Sequence, residues 1–234
     1  MLAVRDLHAA YGNVHVLRGV AFEVGRGEIA TVLGRNGSGR STTCKAVMGL
    51  VAPLKGEVRL DGTDLAGRPS HEIARAGLGY VPEERLVFTT LTVEENLALG
   101  RKAPRPGAAA WDRDELYDLF PRLRERRNVA AGHLSGGEQQ MLTMFRTLLG
   151  NPGAILIDEP TEGLAPMIVE VVGEAVREMR RRGLAVLLLE QKLSMAMRIA
   201  DRVLVMGHGQ IVFDGTPESF EADRGIRRQW LEVA

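Results

Sequence analysis

A chain of 234 residues, 45% of them hydrophobic, can bury a sizeable core and is not a disordered polymer. Thirty Lys and Arg balance thirty Asp and Glu, which gives no sign of the broad basic surface that duplex nucleic acid demands and makes nucleic acid a poor first guess. The single cysteine, Cys44, excludes an internal disulfide and suits a reducing compartment.

Roughly the first 60 residues read as short strands punctuated by Gly12, Gly19, Gly25, Gly27 and Gly56, with one helical period following Gly39, and predict an antiparallel β edge or subdomain. Aliphatic runs at Ile29 to Leu33, Leu78 to Val81, Ala154 to Ile157, Ala185 to Leu189 and Val203 to Met206 alternate with helical patterns. That alternation predicts an α/β fold with a mainly parallel core sheet. Over residues 87–150 strand signals fade. Thr92-Val93-Glu94-Glu95 reads as a capping box opening a helix, Trp111 to Phe120 is helical in pattern, and Pro104-Arg105-Pro106-Gly107-Ala108 is a loop within the same helical lobe. Ile168, Val171, Val172, Ala175, Val176 and Met179 form one helix face directed at the sheet. The basic runs Arg122 to Arg127 and Arg180 to Arg182 fall on expected helices and read as solvated faces. No internal repeat is found. No apolar run approaches the ~18 residues of a membrane span, and Met1-Leu2-Ala3-Val4-Arg5-Asp6 meets charge too early for a secretory leader. The expected place is the cytoplasm, with any membrane role exercised through a partner.

Three strings carry chemistry. Gly34-Arg35-Asn36-Gly37-Ser38-Gly39-Arg40-Ser41-Thr42 follows an apolar strand and opens a helix, the setting of a phosphate-binding loop. Its glycines let backbone N–H groups converge on phosphate oxygens, the helix adds its positive N-terminal end, and Ser41 is placed to hold Mg²⁺. Position 40 is Arg where the pattern asks for Lys. Ala154-Ile155-Leu156-Ile157-Asp158-Glu159 is a buried strand ending in two carboxylates: Asp158 can reach the Mg²⁺ shell, and Glu159 can polarise an attacking water. The third string, Leu134-Ser135-Gly136-Gly137-Glu138-Gln139-Gln140, lies between the other two.

This third string resembles the signature motif of the ABC ATPases, and the resemblance extends over essentially the whole chain. It implies a P-loop NTPase core, one domain over 1–234, with core and β lobe at about 1–86 and 151–234 and a helical signature lobe at about 87–150. It implies ATP and Mg²⁺ as ligands, with Ser135, Gly136 and Gly137 meeting the γ-phosphate of ATP held by an opposite ATPase subunit. It also places Tyr11 against adenine, where ring stacking is the physical rationale. Glu83 takes the place of the glutamine that senses Mg²⁺ and faces the membrane subunit. Ala165 replaces the aspartate of the D-loop Thr161-Glu162-Gly163-Leu164-Ala165-Pro166, and Gln191 replaces the switch histidine.

Val81-Pro82-Glu83, Leu91-Thr92-Val93-Glu94-Glu95-Asn96-Leu97, Glu162-Gly163-Leu164-Ala165-Pro166 and Leu189-Glu190-Gln191 together are similar to one branch, the smaller ATP-binding subunit of branched-chain amino-acid importers. Urea and short-amide importers share much of that branch. The implied partners are a second ATPase subunit, identical or different, transmembrane permease subunits and, through them, a solute-binding protein; the implied place is the inner face of the cell membrane. Arg40, Glu84 and Leu86 depart from the branch. Arg40 and Gln191 open an alternative, a catalytically weakened regulatory half of a mixed dimer, because a planar guanidinium does not replace a compact ammonium between phosphates. Intact Ser41, Asp158 and Glu159 argue for the active enzyme. An ABC protein of DNA repair or translation would need long coiled-coil insertions or a second such domain, which this length does not accommodate.

Overall fold

The computed structural model describes residues 1–104 and 110–231. The loop expected over 104–108 lies, apart from Pro104, outside the described residues. In chain order the elements are β1 (Leu2–Tyr11), β2 (Val14–Val24), β3 (Ile29–Gly34), α1 (Arg40–Val47), β4 (Lys55–Leu60), β5 (Thr63–Asp64), α2 (Ser70–Ala76), β6 (Leu78–Val81) and α3 (Val93–Gly100). There follow α4 (Arg113–Leu119), α5 (Pro121–Glu125), α6 (Gly136–Leu148), β7 (Ala154–Asp158), α7 (Pro166–Arg181), β8 (Ala185–Leu189), α8 (Leu193–Ile199), β9 (Arg202–Gly207), β10 (Gln210–Gly215), α9 (Pro217–Ala222) and α10 (Arg224–Trp230).

The strands form two sheets. The antiparallel subdomain expected near the start is a sheet of its own, ordered β2-β1-β4-β5. Its first hairpin turns over two residues between Tyr11 and Val14, and Gly12 supplies the positive φ (57°) that such a turn needs. The core sheet is ordered β10-β9-β3-β8-β7-β6 and is parallel except for the edge strand β10. Every residue of β7 and β8 is buried, as a parallel strand covered on both faces requires.

The two-residue period of a strand divides these side chains between two cores. Ala154, Leu156, Ala185, Leu187 and Leu189 join α1 and the antiparallel sheet in one cluster. Ile155, Ile157, Val186 and Leu188 face the opposite cluster, built from α3 to α6 and α7. On α7, Val172, Ala175, Val176 and Met179 are buried in that cluster and Ile168 and Val171 pack at its border, which is the face read from the periodicity.

Between β6 and β7 the chain is helical among the described residues. The Thr92 capping box is present: Glu95 N–H donates to Thr92 Oγ1 (3.2 Å) and Thr92 N–H to Glu95 Oε2 (2.8 Å). The helix expected from Trp111 starts two residues later, because Asp112 caps it by accepting from the N–H groups of Asp114 and Glu115. Trp111 is buried instead, its backbone N–H donating to Asn151 Oδ1 at 2.8 Å. Pro121 then ends α4 and begins α5. The basic runs are engaged at the surface: Arg122 pairs with Glu125 (2.9 Å), Arg124 with Asp118 (2.9 Å) and Arg181 with Glu174 (2.6 Å).

Candidate functional site

The parallel strands β3, β8 and β7 lie side by side, so their C-terminal ends open on one edge of the sheet, where α/β folds place their ligand crevices. The loop leaving β3 turns into α1 through Gly39, whose φ of 109° is one that residues with a Cβ rarely adopt. A Cβ at Gly34 would stand 2.6 Å from the Met206 carbonyl oxygen, so the strand can end against β9 only as glycine. Arg35, Asn36, Gly37, Ser38, Gly39, Arg40, Ser41 and Thr42 line a cavity of about 440 Å³ together with Val16, Glu83, Glu159, Glu162 and Gln191. A larger cavity of about 580 Å³ by Leu97, Trp111 and Leu149 gathers none of the predicted site residues.

Within the smaller cavity the predicted groups are wired to one another. Ser41 Oγ donates to Asp158 Oδ1 at 3.1 Å. Arg40 Nη2 donates to Glu159 Oε1 at 2.6 Å, and Gln191 Nε2 donates to Glu159 Oε2 at 2.6 Å, so both carboxylate oxygens are engaged. The Arg40–Glu159 pair is enclosed, with side chains only 5% and 6% exposed, and Arg40 Nη1 also donates to the Glu190 carbonyl at 3.3 Å. Glu159 itself takes a left-handed backbone (φ 46°), rare outside glycine and typical of functional sites.

Burial pushes the Asp158 carboxyl up to about 6, reinforced by the charges of Glu159 and Glu83 and opposed by the Ser41 hydroxyl and Lys45. Glu159 is also raised, chiefly by burial, with the Gln191 hydrogen bond and the Arg40 charge acting in the opposite direction. Because the folded-state pKa of Asp158 lies above its unfolded value of 3.8, its contribution to stability is fully present below 3.8 and is lost as pH rises through about 6. Asp158→Asn keeps an oxygen for Ser41 and removes the charge. It is expected to raise the Tm of the nucleotide-free chain above pH 6 by about 3–6 °C, from a gain on the order of 1–2 kcal/mol. It should also remove the part of the pH dependence of stability between 4 and 6 that this carboxylate supplies, and calorimetry that finds the same slope in both proteins would show that Asp158 is not its cause.

The residues present suit a phosphate ligand and a hard cation. Ser38 Oγ is buried within the loop without a hydrogen-bond partner among the described residues, and the Ser41 hydroxyl and Asp158 carboxylate are adjacent oxygen donors of the kind Mg²⁺ prefers. Glu83 is exposed at the rim of the same cavity. Tyr11, at the end of β1, is 49% exposed and does not line the cavity; Val16, on the next strand, does.

Ser135, Gly136 and Gly137 are not brought to this cavity. They open α6, where Ser135 caps the helix by accepting from Glu138 N–H at 3.3 Å while its own N–H donates to Glu138 Oε2 at 2.8 Å. The N–H groups of Gly136 and Gly137 meet no acceptor among the described residues. Sequence reasoning missed Val16 and Glu162 in the lining and the buried partnership of Glu190 with Thr161. Glu162 and Glu190 stand inside strings already singled out. Val16 carried no signal, being one apolar residue of a strand.

The family described as ABC transporter matches residues 17–162. A high-affinity branched-chain amino acid transport ATP-binding protein, BraG, of Pseudomonas aeruginosa is 40% identical over 231 residues, covering 99% of each chain. A lipopolysaccharide export system ATP-binding protein, LptB, of Haemophilus influenzae is 35% identical over 234 residues, covering 99% of this chain and 97% of its own. A solved structure of an ATP binding subunit of an ABC transporter superposes with a TM-score of 0.81 at 30% identity, covering 99% of this chain and 96% of that one.

Proposed function

The chain is an ATP-binding subunit of the ABC transporter family, and from that premise we propose that it hydrolyses ATP to drive import of branched-chain amino acids, as one half of a head-to-tail pair of ATPase subunits beneath a membrane permease. Convergence of Arg40, Ser41, Glu159 and Gln191 on one cavity, with Asp158 hydrogen-bonded to Ser41, supports hydrolysis. The loop of residues 34–42 binds the phosphates through its amides and the N-terminus of α1. Ser41 and Asp158, with Glu83 at the rim, would hold Mg²⁺, which supplies charge neutralisation on the phosphate oxygens. Water attacks the γ-phosphorus while the bond to the β,γ-bridging oxygen breaks, giving ADP and phosphate. Glu159 accepts the proton that the water releases, and its raised proton affinity suits that task.

We read 1–234 as a single ATP-binding domain in which residues 87–150 are the lobe carrying Ser135, Gly136 and Gly137 to the partner's nucleotide. The two open glycine N–H groups at the start of α6 support this role. No helix among the described residues is long and apolar enough to cross a membrane, so attachment to the cytoplasmic face falls to the permease, with a solute-binding protein acting through it. Tyr11 retains its proposed place at the adenine as an exposed ring available for stacking.

Branched-chain amino acids are favoured by the greater identity to BraG than to LptB. Uptake of labelled leucine should be lost on deleting the gene and restored by the wild-type chain but not by Glu159→Gln. Restoration of urea uptake instead, or a defect in lipopolysaccharide export, would reassign the substrate. Arg40 in contact with Glu159 favours a second reading, a weakened regulatory half of a mixed dimer. Turnover of the isolated chain compared with that of the mixed complex separates the two.

Gln191 offers a neutral amide where the family has histidine, so hydrolysis should show no pH dependence traceable to this residue. Gln191→Ala removes the 2.6 Å hydrogen bond to Glu159 and is expected to lower kcat about fivefold, with nucleotide affinity unchanged within about twofold. Equal activity in the two proteins would show that this contact has no part in turnover.

A further inference from the structure

Glu190 ends β8 one residue before Gln191 and has no task in the reaction as written above. Its side chain is buried, 2% exposed, and no Lys or Arg among the described residues pairs with its carboxylate. Three donors meet it instead: Thr161 Oγ1 donates to Oε2 at 2.7 Å, and the N–H groups of Gln191 and Lys192 donate to Oε1 at 2.9 Å each. Its carbonyl oxygen accepts from Arg40 at 3.3 Å. Thr161 is fully buried, and its own carbonyl accepts from Lys192 Nζ at 3.0 Å. A buried anion is costly unless its lone pairs are filled, and apolar packing alone would be served as well by leucine.

These bonds close a ring. Glu159 leads through the backbone to Thr161, whose hydroxyl is held by Glu190; Glu190 holds the Gln191 N–H, and the Gln191 amide returns to Glu159. We infer that Glu190 is a positioning residue: its carboxylate fixes Gln191 against Glu159 and ties both to the loop that follows β7. This rests on the proposed function, in which Glu159 receives the proton from water. The duller possibility is that Glu190 only stabilises the turn into α8.

The negative charge of the carboxylate makes all three of these bonds charge-assisted. Glutamine can keep the geometry, with Oε1 on the two N–H groups and its NH₂ donating to the Thr161 hydroxyl, but it loses the negative charge that strengthens each bond. In the nucleotide-free chain, Glu190→Gln should speed hydrogen exchange of the Gln191 and Lys192 backbone amides by about tenfold. In the full chain with its ATPase partner, the same variant should lower kcat about fivefold with ATP affinity unchanged within about twofold. Thr161→Ser should behave as wild type, and Thr161→Val should move in the direction of Glu190→Gln. The double variant Glu190→Gln/Gln191→Ala should be no slower than Gln191→Ala alone, because both changes break one ring. Unchanged kcat and exchange in Glu190→Gln, or losses that multiply in the double variant, would overturn the inference. If Glu190→Gln does not fold, the Thr161 pair decides: equal kcat in Thr161→Val and Thr161→Ser overturns it, and a loss confined to valine supports it. A wild-type chain that binds ATP but never hydrolyses it with any partner removes the proposed function and this inference together, whereas an active enzyme indifferent to Glu190 removes only the latter.

Discussion

Glu159→Gln is expected to lower ATP hydrolysis by about two to three orders of magnitude while leaving ATP bound, the range associated with loss of a general base. The shape of the side chain is kept, so Gln191 still has an oxygen to meet. The charge that holds Arg40 at 2.6 Å is gone. Arg40 is then free to turn to the phosphates, and nucleotide affinity should hold or rise. Bound ATP that is not consumed keeps the phosphate loop of one subunit and the Ser135-Gly136-Gly137 amides of the other engaged, so a closed dimer should accumulate with ATP and the proper partner. Sedimentation velocity with and without ATP measures this directly. A variant that stays monomeric with every ATPase partner at saturating ATP would refute the shared site, and one that hydrolyses at the wild-type rate would remove Glu159 from the chemistry.

Arg40→Lys is expected to raise turnover by about tenfold, equivalent to about 1.4 kcal/mol of transition-state stabilisation, and to leave nucleotide affinity within a few-fold. In the structure the guanidinium is committed, one arm to Glu159 and one to the Glu190 carbonyl, in an enclosed pair. To serve the phosphates it must leave a buried carboxylate, and its planar fork is a poor match for a position between β- and γ-oxygens. A lysine ammonium is compact and can turn among several oxygens. Affinity changes less than rate because the loop amides and the α1 N-terminus remain. Steady-state hydrolysis and nucleotide titration of both proteins separate rate from binding. Slower turnover in the lysine variant would mean that the site has been reshaped around arginine and that the pair with Glu159 belongs to its working state.

Features set by residues close in the chain were legible in advance. The capping box at Thr92 spans three residues, the buried strand ending in Asp158 and Glu159 is a continuous apolar run, and the α7 face repeats every three or four positions. Each follows from backbone geometry that needs no distant partner. The phosphate loop was legible for the same reason, since strand, glycines and helix follow one another directly. Where Trp111 was read as helical, a local competitor, the Asp112 cap, set the helix start instead.

Which of these groups touch was decided only by the tertiary structure. Ser41 and Asp158 are 117 positions apart and Arg40 and Glu159 are 119 apart. They meet because β3, β8 and β7 are neighbours in the sheet, an order that depends on long crossovers and on two opposed hydrophobic clusters rather than on local periodicity. The same packing sets Val16 rather than Tyr11 in the cavity wall and buries Glu190 against Thr161. The sequence by itself therefore determined the family's motifs and their chemical repertoire, because those are short-range patterns of residue type. The pairing of Arg40 with Glu159, and the ring through Glu190, came only from the fold, because a hydrogen bond depends on ångström distances between segments that the chain order keeps far apart.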